Sequence, residues 1–566
     1  LFHNVKKGDI QLTEVMILPN VYELGFTVGQ ALKNVLNVQK SCHPDTSHLN
    51  ISEIWKFLIQ LPYIYKEWWW NLVTNDPIHV AVETTLLVSV VYMSILSRNK
   101  DYRSMSQQRH AGLSTKEQED LLQEWKESRS DLAPVQVIHK DPIVVHAFHG
   151  RTMEVECNNP TSSTTTSTTK SNNIKQSQQN STTTVLNMAT YDFLSMSSNE
   201  VLKDASRDAL QKYGCGSCGP RGFYGTIDVH LQLEQAMANF TKTEGAIMYS
   251  DGASTITSTI AAFAKRGDLL VVDDGVYEPI VTGVTLSRAN VEWFQHNNMQ
   301  DLRRVLEKVR NIDKELGRKP CDQRRFIVVE GLYKNTGTIV PFDELAALKH
   351  EFNFRVILDE SFSFGTLGST GKGVLELYQS RHMYDAEIVT VSLENSLGSI
   401  GGVTVGNEEV VDHQRLSGAG YCFSASSPPF TASAAISALH QLDTTPEIYQ
   451  KLQTNIRKFH EKLKSIDTKV MPDKLVCTSD PRSAIVYFEI NPTIASQFTH
   501  EYNVEKLNDI VRKCLEAGIA IVSTTRRFPR RNTPCPAIRI NLSSAHTEDD
   551  LDQVLRSLEK AVLLSM

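Results

Sequence analysis

From Val185 onward, short apolar runs rich in β-branched residues alternate with helical patterns, and this alternation constrains the fold more than any other feature. Residues 327–330 (IVVE), 356–359 (VILD) and 388–391 (IVTV) are such runs, as expected of buried parallel strands. Residues 343–350 (DELAALKH) predict a helix with its apolar face on the sheet. The alternation therefore predicts an α/β sandwich.

Length and composition suit a large globular protein. The chain has 566 residues, of which 41% are hydrophobic, enough for several domains and a sizeable core. The formal net charge of −7 gives no electrostatic reason to expect a nucleic-acid partner. The nine cysteines are scattered and odd in number, which predicts no disulfide framework and suits a reducing compartment. Cys215 and Cys218 form a lone CxxC, which tight packing explains better than a metal site.

One segment resembles the cofactor-lysine site of a pyridoxal-phosphate enzyme without the lysine. In VTVSLENSLGSIGG, residues 389–402, Ser392 precedes Asn395 by three positions and the pair Gly401-Gly402 follows. Pyridoxal-phosphate enzymes that have this frame hold the cofactor as a Schiff base on a lysine amine where Asn395 stands here. An amide nitrogen is not a nucleophile, so Asn395 cannot form that imine.

Two further segments make the resemblance specific. Residues 218–230 (CGPRGFYGTIDVH) are similar to the glycine-rich entry of the α-oxoamine synthases, and residues 413–429 (HQRLSGAGYCFSASSPP) match that family closely. The resemblance runs from roughly Trp68 to the C-terminus, with one insertion. It implies the fold of the fold-type I pyridoxal-phosphate transferases, in which a large α/β sandwich domain is followed by a small C-terminal α+β domain.

The resemblance also implies an activity and a set of partners. The enzyme would condense L-serine with palmitoyl-CoA to 3-ketosphinganine, the first step of sphingolipid biosynthesis. Pyridoxal phosphate would be bound covalently by a lysine-bearing second long-chain-base subunit and not by this chain. Small activating membrane subunits and Orm-type regulators are further expected partners. Two alternatives stay open: an active synthase that uses another lysine, of which Lys372 is the nearest candidate, and a membrane scaffold or regulatory protein with no part in an active site.

Three more of the family's cofactor positions can be assigned by the resemblance. Asp359 matches the Asp that pairs with the pyridinium nitrogen, although a carboxylate that caps a helix after a strand is an equal alternative. Phe362 replaces the His of the family's Asp-Glu-Ala-His motif. Tyr277 takes the place of the ring-stacking His and cannot reproduce imidazole proton chemistry. The cofactor-binding positions implied by the resemblance are therefore Asp359, Tyr277, Phe362, Ser392 and Asn395. Of these, only Asp359 and Ser392 keep the family's residue type.

The glycine-rich segment, residues 213–226, contains five glycines, which permit close approach to a ligand or another chain. In the family it lies beside the dimer interface. The residues predicted to face the partner's active site are Cys218, Arg221, Gly222, Tyr224, Ser424 and Ser426. His230 and Glu234, four residues apart, are interpreted as helix structure rather than chemistry.

An arginine near the C-terminus also has a family counterpart. Arg539 matches the arginine that binds the amino-acid carboxylate through a bidentate fork. A structural ion-pair role is the alternative, and we expect it if no amino acid binds to a cofactor on this chain.

Residues 78–96 (IHVAVETTLLVSVVYMSIL) predict a single membrane span, because nineteen residues with one formal charge approach the length needed to cross the bilayer. Trp68, Trp69 and Trp70 precede this run, as interfacial aromatics do, and basic residues follow it. A buried core helix is the alternative. With the basic flank on the C-terminal side, we expect an endoplasmic-reticulum membrane protein whose body is cytosolic.

The chain is predicted to divide into six parts: an N-terminal extension of open structure (1–66), a membrane segment (67–103), an amphipathic helix and linker (104–156), a disordered insertion rich in Ser, Thr and Asn (157–184), a large domain (185–430) and a small domain (431–566).

Overall fold

The computed structural model describes residues 143–156, 182–379, 385–465, 471–530 and 534–566, together with a few single positions between residues 70 and 92. The predicted N-terminal extension, the amphipathic helix and residues 157–181 of the insertion lie outside the described residues, as does the membrane span apart from those single positions. Among the residues that are described, no helix has the length and apolar character needed to cross a membrane.

A small four-stranded sheet opens the described chain. Strands β1 (Val145–Phe148) and β2 (Thr152–Glu156) are antiparallel, and β3 (Thr182–Asn187) pairs antiparallel with β2. The fourth strand, Ile519–Ala520, comes from the C-terminal part of the chain and pairs parallel with β3. This sheet therefore joins the start of the described chain to its end.

Two predicted boundaries are wrong at this sheet. The linker was expected to run to residue 156 and the insertion to residue 184, yet β1 and β2 occupy the end of the first and Thr182 begins β3. The Thr side chains at 182–184 are exposed, but threonine is β-branched and their backbone pairs with β2. Met153, Val155 and Val185 bury a small core of their own. The hydroxyl-rich composition therefore concealed a strand.

A seven-stranded sheet forms the centre of the molecule. Its strands in chain order are β4 (Gly245–Tyr249), β5 (Leu269–Asp273), β6 (Asn290–Phe294), β7 (Arg325–Glu330), β8 (Arg355–Asp359), β9 (Ile388–Ser392) and β10 (Gly402–Gly406). The spatial order is β4-β10-β9-β8-β7-β5-β6. Neighbours from β9 to β6 are parallel, whereas β10 runs antiparallel to both β4 and β9. The three predicted buried strands are confirmed as β7, β8 and β9.

Ten helices among the described residues accompany the central sheet: α1 (Glu200–Tyr213), α2 (Asp228–Thr241), α3 (Gly252–Phe263), α4 (Glu278–Ser287), α5 (Met299–Leu316), α6 (Phe342–Phe352), α7 (Val374–Leu377), α8 (Glu408–Ser417), α9 (Ala419–Phe423) and α10 (Pro429–Thr444). The helix predicted at residues 343–350 is confirmed as α6. Helix α10 begins at Pro429, which occupies the first helical position, where its missing N–H costs nothing.

Helix α5 shows how local sequence sets these helices. The side chain of Asn298 accepts the N–H of Asp301 at the start, and Gly317 adopts φ 62° after the last turn. Leu302, Leu306 and other apolar residues three or four positions apart are buried, and the opposite face is charged. Such a helix is held mainly by its buried stripe, as expected of a helix that covers a sheet.

The C-terminal part has a second four-stranded sheet with helices. Its strands are β11 (Leu475–Cys477), β12 (Ile485–Ile490), β14 (Val522–Arg526) and β15 (Cys535–Asn541), while β13 is the Ile519–Ala520 strand of the first sheet. The order is β11-β12-β15-β14, with antiparallel neighbours throughout. Its helices are α11 (Pro446–Ser465), α12 (Met471–Lys474), α13 (Pro492–Ala495), α14 (His500–Glu516) and α15 (Glu548–Ser565). The predicted α+β character of this part is confirmed.

Candidate functional site

Buried polar side chains stand at the carboxyl ends of the parallel strands. Asp273 ends β5, Glu330 ends β7, Asp359 ends β8 and Ser392 ends β9, and all four are buried. Glu330 and Asp359 are directly opposite each other in neighbouring strands. Ligands of open parallel sheets bind at this edge. Two of the predicted cofactor positions, Asp359 and Ser392, therefore lie at the edge of the sheet where such folds bind their ligands.

Asn395 is buried three residues beyond β9 and binds protein rather than solvent. Its side-chain Nδ2 donates to the backbone carbonyl oxygen of Ser361 at 2.8 Å, and the backbone carbonyl of Asn395 accepts the N–H of Phe193 at 3.1 Å. The amide thus ties together the loops that follow β8 and β9. Ser392, three positions earlier, accepts the N–H of Glu394 through its Oγ at 3.1 Å. Both side chains have structural partners within the chain.

Asp359 is paired with Tyr277. The phenol of Tyr277 donates to Asp359 Oδ2 at 2.7 Å, and the N–H of Ser361 donates to Oδ1 at 2.7 Å. Burial raises the pKa of Asp359 from its ordinary value. Tyr277 is itself fixed, since its backbone N–H donates to Glu330 Oε1 at 2.8 Å. Burial raises the pKa of Glu330 well above its ordinary value, and the charge of Asp359 adds to that shift.

Phe362 packs between two tyrosines. Its ring is edge-on to Tyr277, with centroids 5.9 Å apart and planes at 90°. The same ring packs against Tyr191, with centroids 5.1 Å apart and planes at 67°. We call these three residues the aromatic column. Tyr191 was missed from the sequence, because it precedes Phe362 by 171 positions and belongs to none of the motifs.

Arg539 lies at the far end of the aromatic column. Its guanidinium carbon is 4.2 Å from the centre of the Tyr191 ring. Nη1 donates to the Tyr191 hydroxyl and Nη2 donates to the Ala189 carbonyl at 3.0 Å. Both terminal nitrogens therefore have protein acceptors. This arrangement favours the structural role for Arg539, although its partner is a phenol and a carbonyl rather than an ion pair.

The start of helix α3 lies beside Ser392, where a Cβ added to Gly252 would meet Ser392 Oγ at 2.6 Å. Helix N-termini are natural phosphate sites. Here the Asp251 carboxylate accepts the N–H of Ser254 at 2.7 Å, and Glu394 Oε1 accepts the N–H of Gly252 at 3.4 Å. Burial raises the pKa of Glu394 and the charge of Asp251 adds to that shift, while the N–H of Gly252 opposes it. A phosphate group would meet two carboxylates at this helix end.

These side chains do not fit covalently bound pyridoxal phosphate. The position of the Schiff-base lysine holds an amide with a protein partner, and the carboxylate for the ring nitrogen already accepts a phenol. The candidate lysine Lys372 lies on another loop, with its Nζ 4.7 Å from the centre of the Phe240 ring. Within the described residues, no group of three or more His, Cys, Asp or Glu could hold a metal ion.

The glycine-rich segment is largely exposed, unlike the buried side chains at the carboxyl ends of the strands. Cys218, Gly222 and Tyr224 are exposed, and Cys218 and Tyr224 adopt φ values of 57° and 66°, which non-glycine residues rarely occupy. Ser424 is half-buried. These four predicted interface residues are therefore accessible from outside the chain.

Two predicted interface residues turn inward instead. Arg221 is buried, with Nη1 3.0 Å from Glu234 Oε1 and its guanidinium carbon 5.3 Å from the centre of the Tyr421 ring. Ser426 is buried too, and its carbonyl accepts the hydroxyl of Ser217 at 2.8 Å. Both side chains are buried within this chain, and their expected place beside a partner's active site stays a prediction. An arginine close to an acidic residue on α2 neutralises that acid's buried charge, a pairing that spacing alone does not reveal.

His230 and Glu234 support this inward network, as predicted for helix structure. His230 Nε2 lies 2.9 Å from the carbonyl oxygen of Ser427, and burial together with the charge of Arg221 lowers the pKa of His230. Glu234 Oε1 accepts the N–H of Met248 at 2.9 Å. The two residues therefore connect α2 to β4 and to the start of α10.

Large apolar side chains surround the exposed glycine-rich segment. Phe223 is 70% exposed and its neighbour Tyr224 is fully exposed. Leu416 and Phe423, at the ends of α8 and α9, are 87% and 82% exposed. We call the exposed residues of this region the glycine-rich face: Cys218, Gly222, Phe223, Tyr224, Leu416 and Phe423. Several large exposed apolar side chains in one region favour a protein or membrane contact there.

Comparison with known families and proteins identifies the family to which the chain belongs. The family model "Aminotransferase class I and II" matches residues 183–558. "Long chain base biosynthesis protein 1b" of Oryza sativa subsp. japonica is 41% identical over 378 residues, which cover 66% of this chain and 76% of the relative. "Serine palmitoyltransferase 1" of Dictyostelium discoideum is 34% identical over 494 residues, which cover 86% of this chain and 95% of the relative.

A solved structure has the same fold. A serine palmitoyltransferase from S. paucimobilis, with a bound PLP–myriocin aldimine, superposes with a TM-score of 0.59 at 26% identity. The match covers 68% of this chain and 88% of that one. The fold-type I architecture expected from the sequence is therefore confirmed.

Proposed function

The chain belongs to the family of class I and II aminotransferases and is a serine palmitoyltransferase subunit that serves sphingolipid synthesis, and we propose that it is the subunit that performs no chemistry itself. The observation that carries this proposal is the buried amide of Asn395, which donates to Ser361 at the position of the cofactor lysine. The holoenzyme is an acyltransferase that joins L-serine to palmitoyl-CoA. Its pyridoxal phosphate is held by the lysine of a second long-chain-base subunit.

The contribution of this chain is to complete the partner's active site from outside. Bound pyridoxal phosphate supplies an electron sink on the partner. The glycine-rich face presents Cys218 and Gly222, which are small, next to Phe223 and Tyr224, which are large and exposed. The small residues allow close approach, and the aromatic side chains bury apolar area and exclude water from the partner's pocket.

The glycine-rich face is held firmly from behind. The N–H of Ser426 donates to the carbonyl of Gly219 at 2.9 Å, and Ser217 Oγ donates to the carbonyl of Ser426 at 2.8 Å. The buried Arg221–Glu234 pair anchors the same loop to α2. A face supported in this way can position groups against a partner, because its backbone is fixed before association.

We further propose that residues 78–96 anchor the subunit in the endoplasmic-reticulum membrane with the body in the cytosol. The support is the apolar run with its tryptophans on one side and basic residues on the other. Small activating membrane subunits and Orm-type regulators are proposed as additional partners. A glycan found at Asn180, Asn239 or Asn541 would contradict this topology.

The test of the proposal is assembly with the lysine-bearing subunit. Replacing Phe223 and Tyr224 by serine should weaken co-purification of the two subunits by roughly tenfold or more, because aromatic anchors dominate interface energetics. The matched control is Leu286→Ser on α4, which is 60% exposed and lies outside the glycine-rich face. Equal co-purification of both variants would place the partner on another surface.

A further inference from the structure

We propose that the candidate cofactor site, the pocket at the carboxyl edge of the central sheet around Asp359 and Asn395, is closed to pyridoxal phosphate by its own side chains. Restoring a lysine at position 395 would then not restore cofactor binding. The inference rests on the proposed function and deepens it, because it concerns the same degenerate site. It differs from a simple loss of the lysine, which would leave an open pocket with one missing bond. Three independent contacts carry it, one at each end of the site and one at its centre.

At the centre, Tyr277 takes the role that a bound ring would have for Asp359. Asp359 is 1% exposed, and a buried carboxyl needs hydrogen-bond donors. The Tyr277 phenol supplies one at 2.7 Å. A ring nitrogen could reach Asp359 Oδ2 only after this phenol had left. Tyr277 cannot leave easily, since its ring is buried against Phe362 and its N–H is held by Glu330.

At the end of the site where the family binds the amino-acid carboxylate, Tyr191 contacts the guanidinium of Arg539. The tyrosine ring lies under the guanidinium, and the tyrosine hydroxyl accepts from Nη1. Nη2 donates to Ala189, which leaves only the buried Nε without an acceptor among the described residues. A carboxylate needs two parallel donors for a bidentate bond. Nη1 and Nη2 each keep a second N–H, but a carboxylate that bound them would have to share the guanidinium with the acceptors that Tyr191 and Ala189 already provide.

The aromatic column connects these two closures. Contacts run without a break from Asp359 through Tyr277, Phe362 and Tyr191 to Arg539. The first and last of these residues match the family positions for the ring nitrogen and the amino-acid carboxylate. The space between the two anchors is therefore filled by the protein's own rings.

At the third point, two carboxylates meet the start of α3. Asp251 and Glu394 accept backbone N–H groups of the first turn, which are the donors a phosphate would use. A phosphate would have to displace them against like charge. This closure is separate from the aromatic column, because it involves neither Tyr277 nor Arg539.

The experiment uses the complex with the lysine-bearing subunit, reduced with borohydride and mapped by peptide mass spectrometry. The partner's lysine serves as an internal standard for labelling. One variant is Asn395→Lys; the other adds Tyr277→His, Phe362→His and Glu394→Ser. We expect the single variant to carry roughly tenfold less phosphopyridoxyl label at position 395 than the partner's lysine, because entry of the cofactor must break buried hydrogen bonds. The fourfold variant should approach the partner's labelling.

Each outcome decides the inference. Labelling of Asn395→Lys equal to that of the partner would overturn it, and so would a fourfold variant labelled no more than the single one. Neither result would touch the proposed function. Label on a native lysine of the unaltered chain would instead overturn the proposed function itself.

A melting measurement covers the case in which the fourfold variant does not assemble. Tyr277→Phe removes only the phenol, and should lower the Tm of the complex by about 2–4 °C, because Asp359 loses a buried donor. The matched control is Tyr249→Phe, because the Tyr249 hydroxyl donates to the neutral Gln414 at 2.8 Å. Its Tm should fall by less. A Tm for Tyr277→Phe no lower than that of the control would overturn the role given to the Tyr277–Asp359 contact.

Discussion

The pocket at the carboxyl edge of the sheet and the glycine-rich face differ in every physical respect. In the pocket, Asp359, Tyr277 and Phe362 are buried and contact one another. On the face, Phe223 and Tyr224 are exposed, although water is a poor environment for apolar rings. The buried side chains have hydrogen-bond and ring partners within the chain, whereas the exposed rings have the character expected of the proposed contact surface. This distribution of buried and exposed side chains is expected of a subunit that contributes a contact surface rather than a catalytic group.

The largest expected effect concerns the support behind the glycine-rich face. Replacing Arg221 by Met removes the counter-charge that lies 3.0 Å from buried Glu234 and leaves only the more distant charge of Arg415, which should cost up to about 3–5 kcal/mol of stability. Thermal melting of the complex measures this. The control is the double variant Arg221→Met/Glu234→Gln, which removes both charges and should recover most of the loss. If the single variant melted like the unaltered protein, the face would not depend on this pair.

The next effect is on the face itself. Cys218 is exposed, and an indole at this position should leave the fold intact but displace groups in the partner's pocket by about 1 Å, enough to lose roughly a hundredfold in turnover. Co-purification should persist. Turnover with serine, alanine and glycine measures the loss and any change of selectivity.

The matched control for Cys218→Trp is Cys321→Trp, a second exposed free cysteine that lies outside the face. It should keep full turnover. Full turnover and selectivity in Cys218→Trp as well would remove the glycine-rich face from the active site and favour a pure scaffold.

A smaller effect sharpens the comparison from the pocket side. Glu360 is buried next to Asp359 and accepts from Ser363, Val374 and Leu375, yet burial raises its pKa from 4.5 to about 7. A carboxyl group whose pKa is higher in the folded than in the unfolded protein stabilises the fold at pH values below its unfolded pKa. That contribution, at most about 3 kcal/mol, is lost as pH rises from about 4.5 through about 7.

Glu360→Gln removes this titration, so its Tm should fall less than that of the unaltered protein between about pH 5 and about pH 8. The control is Glu376→Gln, in the same loop region, because burial is outweighed there by hydrogen bonds that lower the pKa of Glu376. Parallel Tm curves for Glu360→Gln and the unaltered protein would show that Glu360 is already ionised at low pH.

The central sheet and the degenerate site could be predicted from the sequence because their signals are local. Strands β7, β8 and β9 are continuous apolar runs, and Asn395 and Phe362 stand within recognisable motifs. The contacts that close the pocket could not be predicted in this way. Tyr191 meets Arg539, 348 positions away, and no periodicity reports such a pair.

The burial of one residue in the glycine-rich segment could not be predicted for a related reason. Its sequence predicted an exposed interface, and Cys218 and Tyr224 are exposed. Arg221 lies in the same run but is buried, because Glu234 on α2 attracts it. The direction of one side chain within a loop depends on a charge outside that loop. The strand at Thr182 was missed because hydrogen bonding by its backbone, rather than its composition, determines its structure.

The most direct test of the central claim is where pyridoxal phosphate is bound in the unaltered complex. The complex and the isolated chain are reduced with borohydride in the presence of the cofactor, digested and mapped by mass spectrometry. Because Asn395 has no amine, we predict a phosphopyridoxyl adduct on the partner's lysine and none on this chain in either sample. A near-stoichiometric adduct on any lysine of this chain would contradict the account.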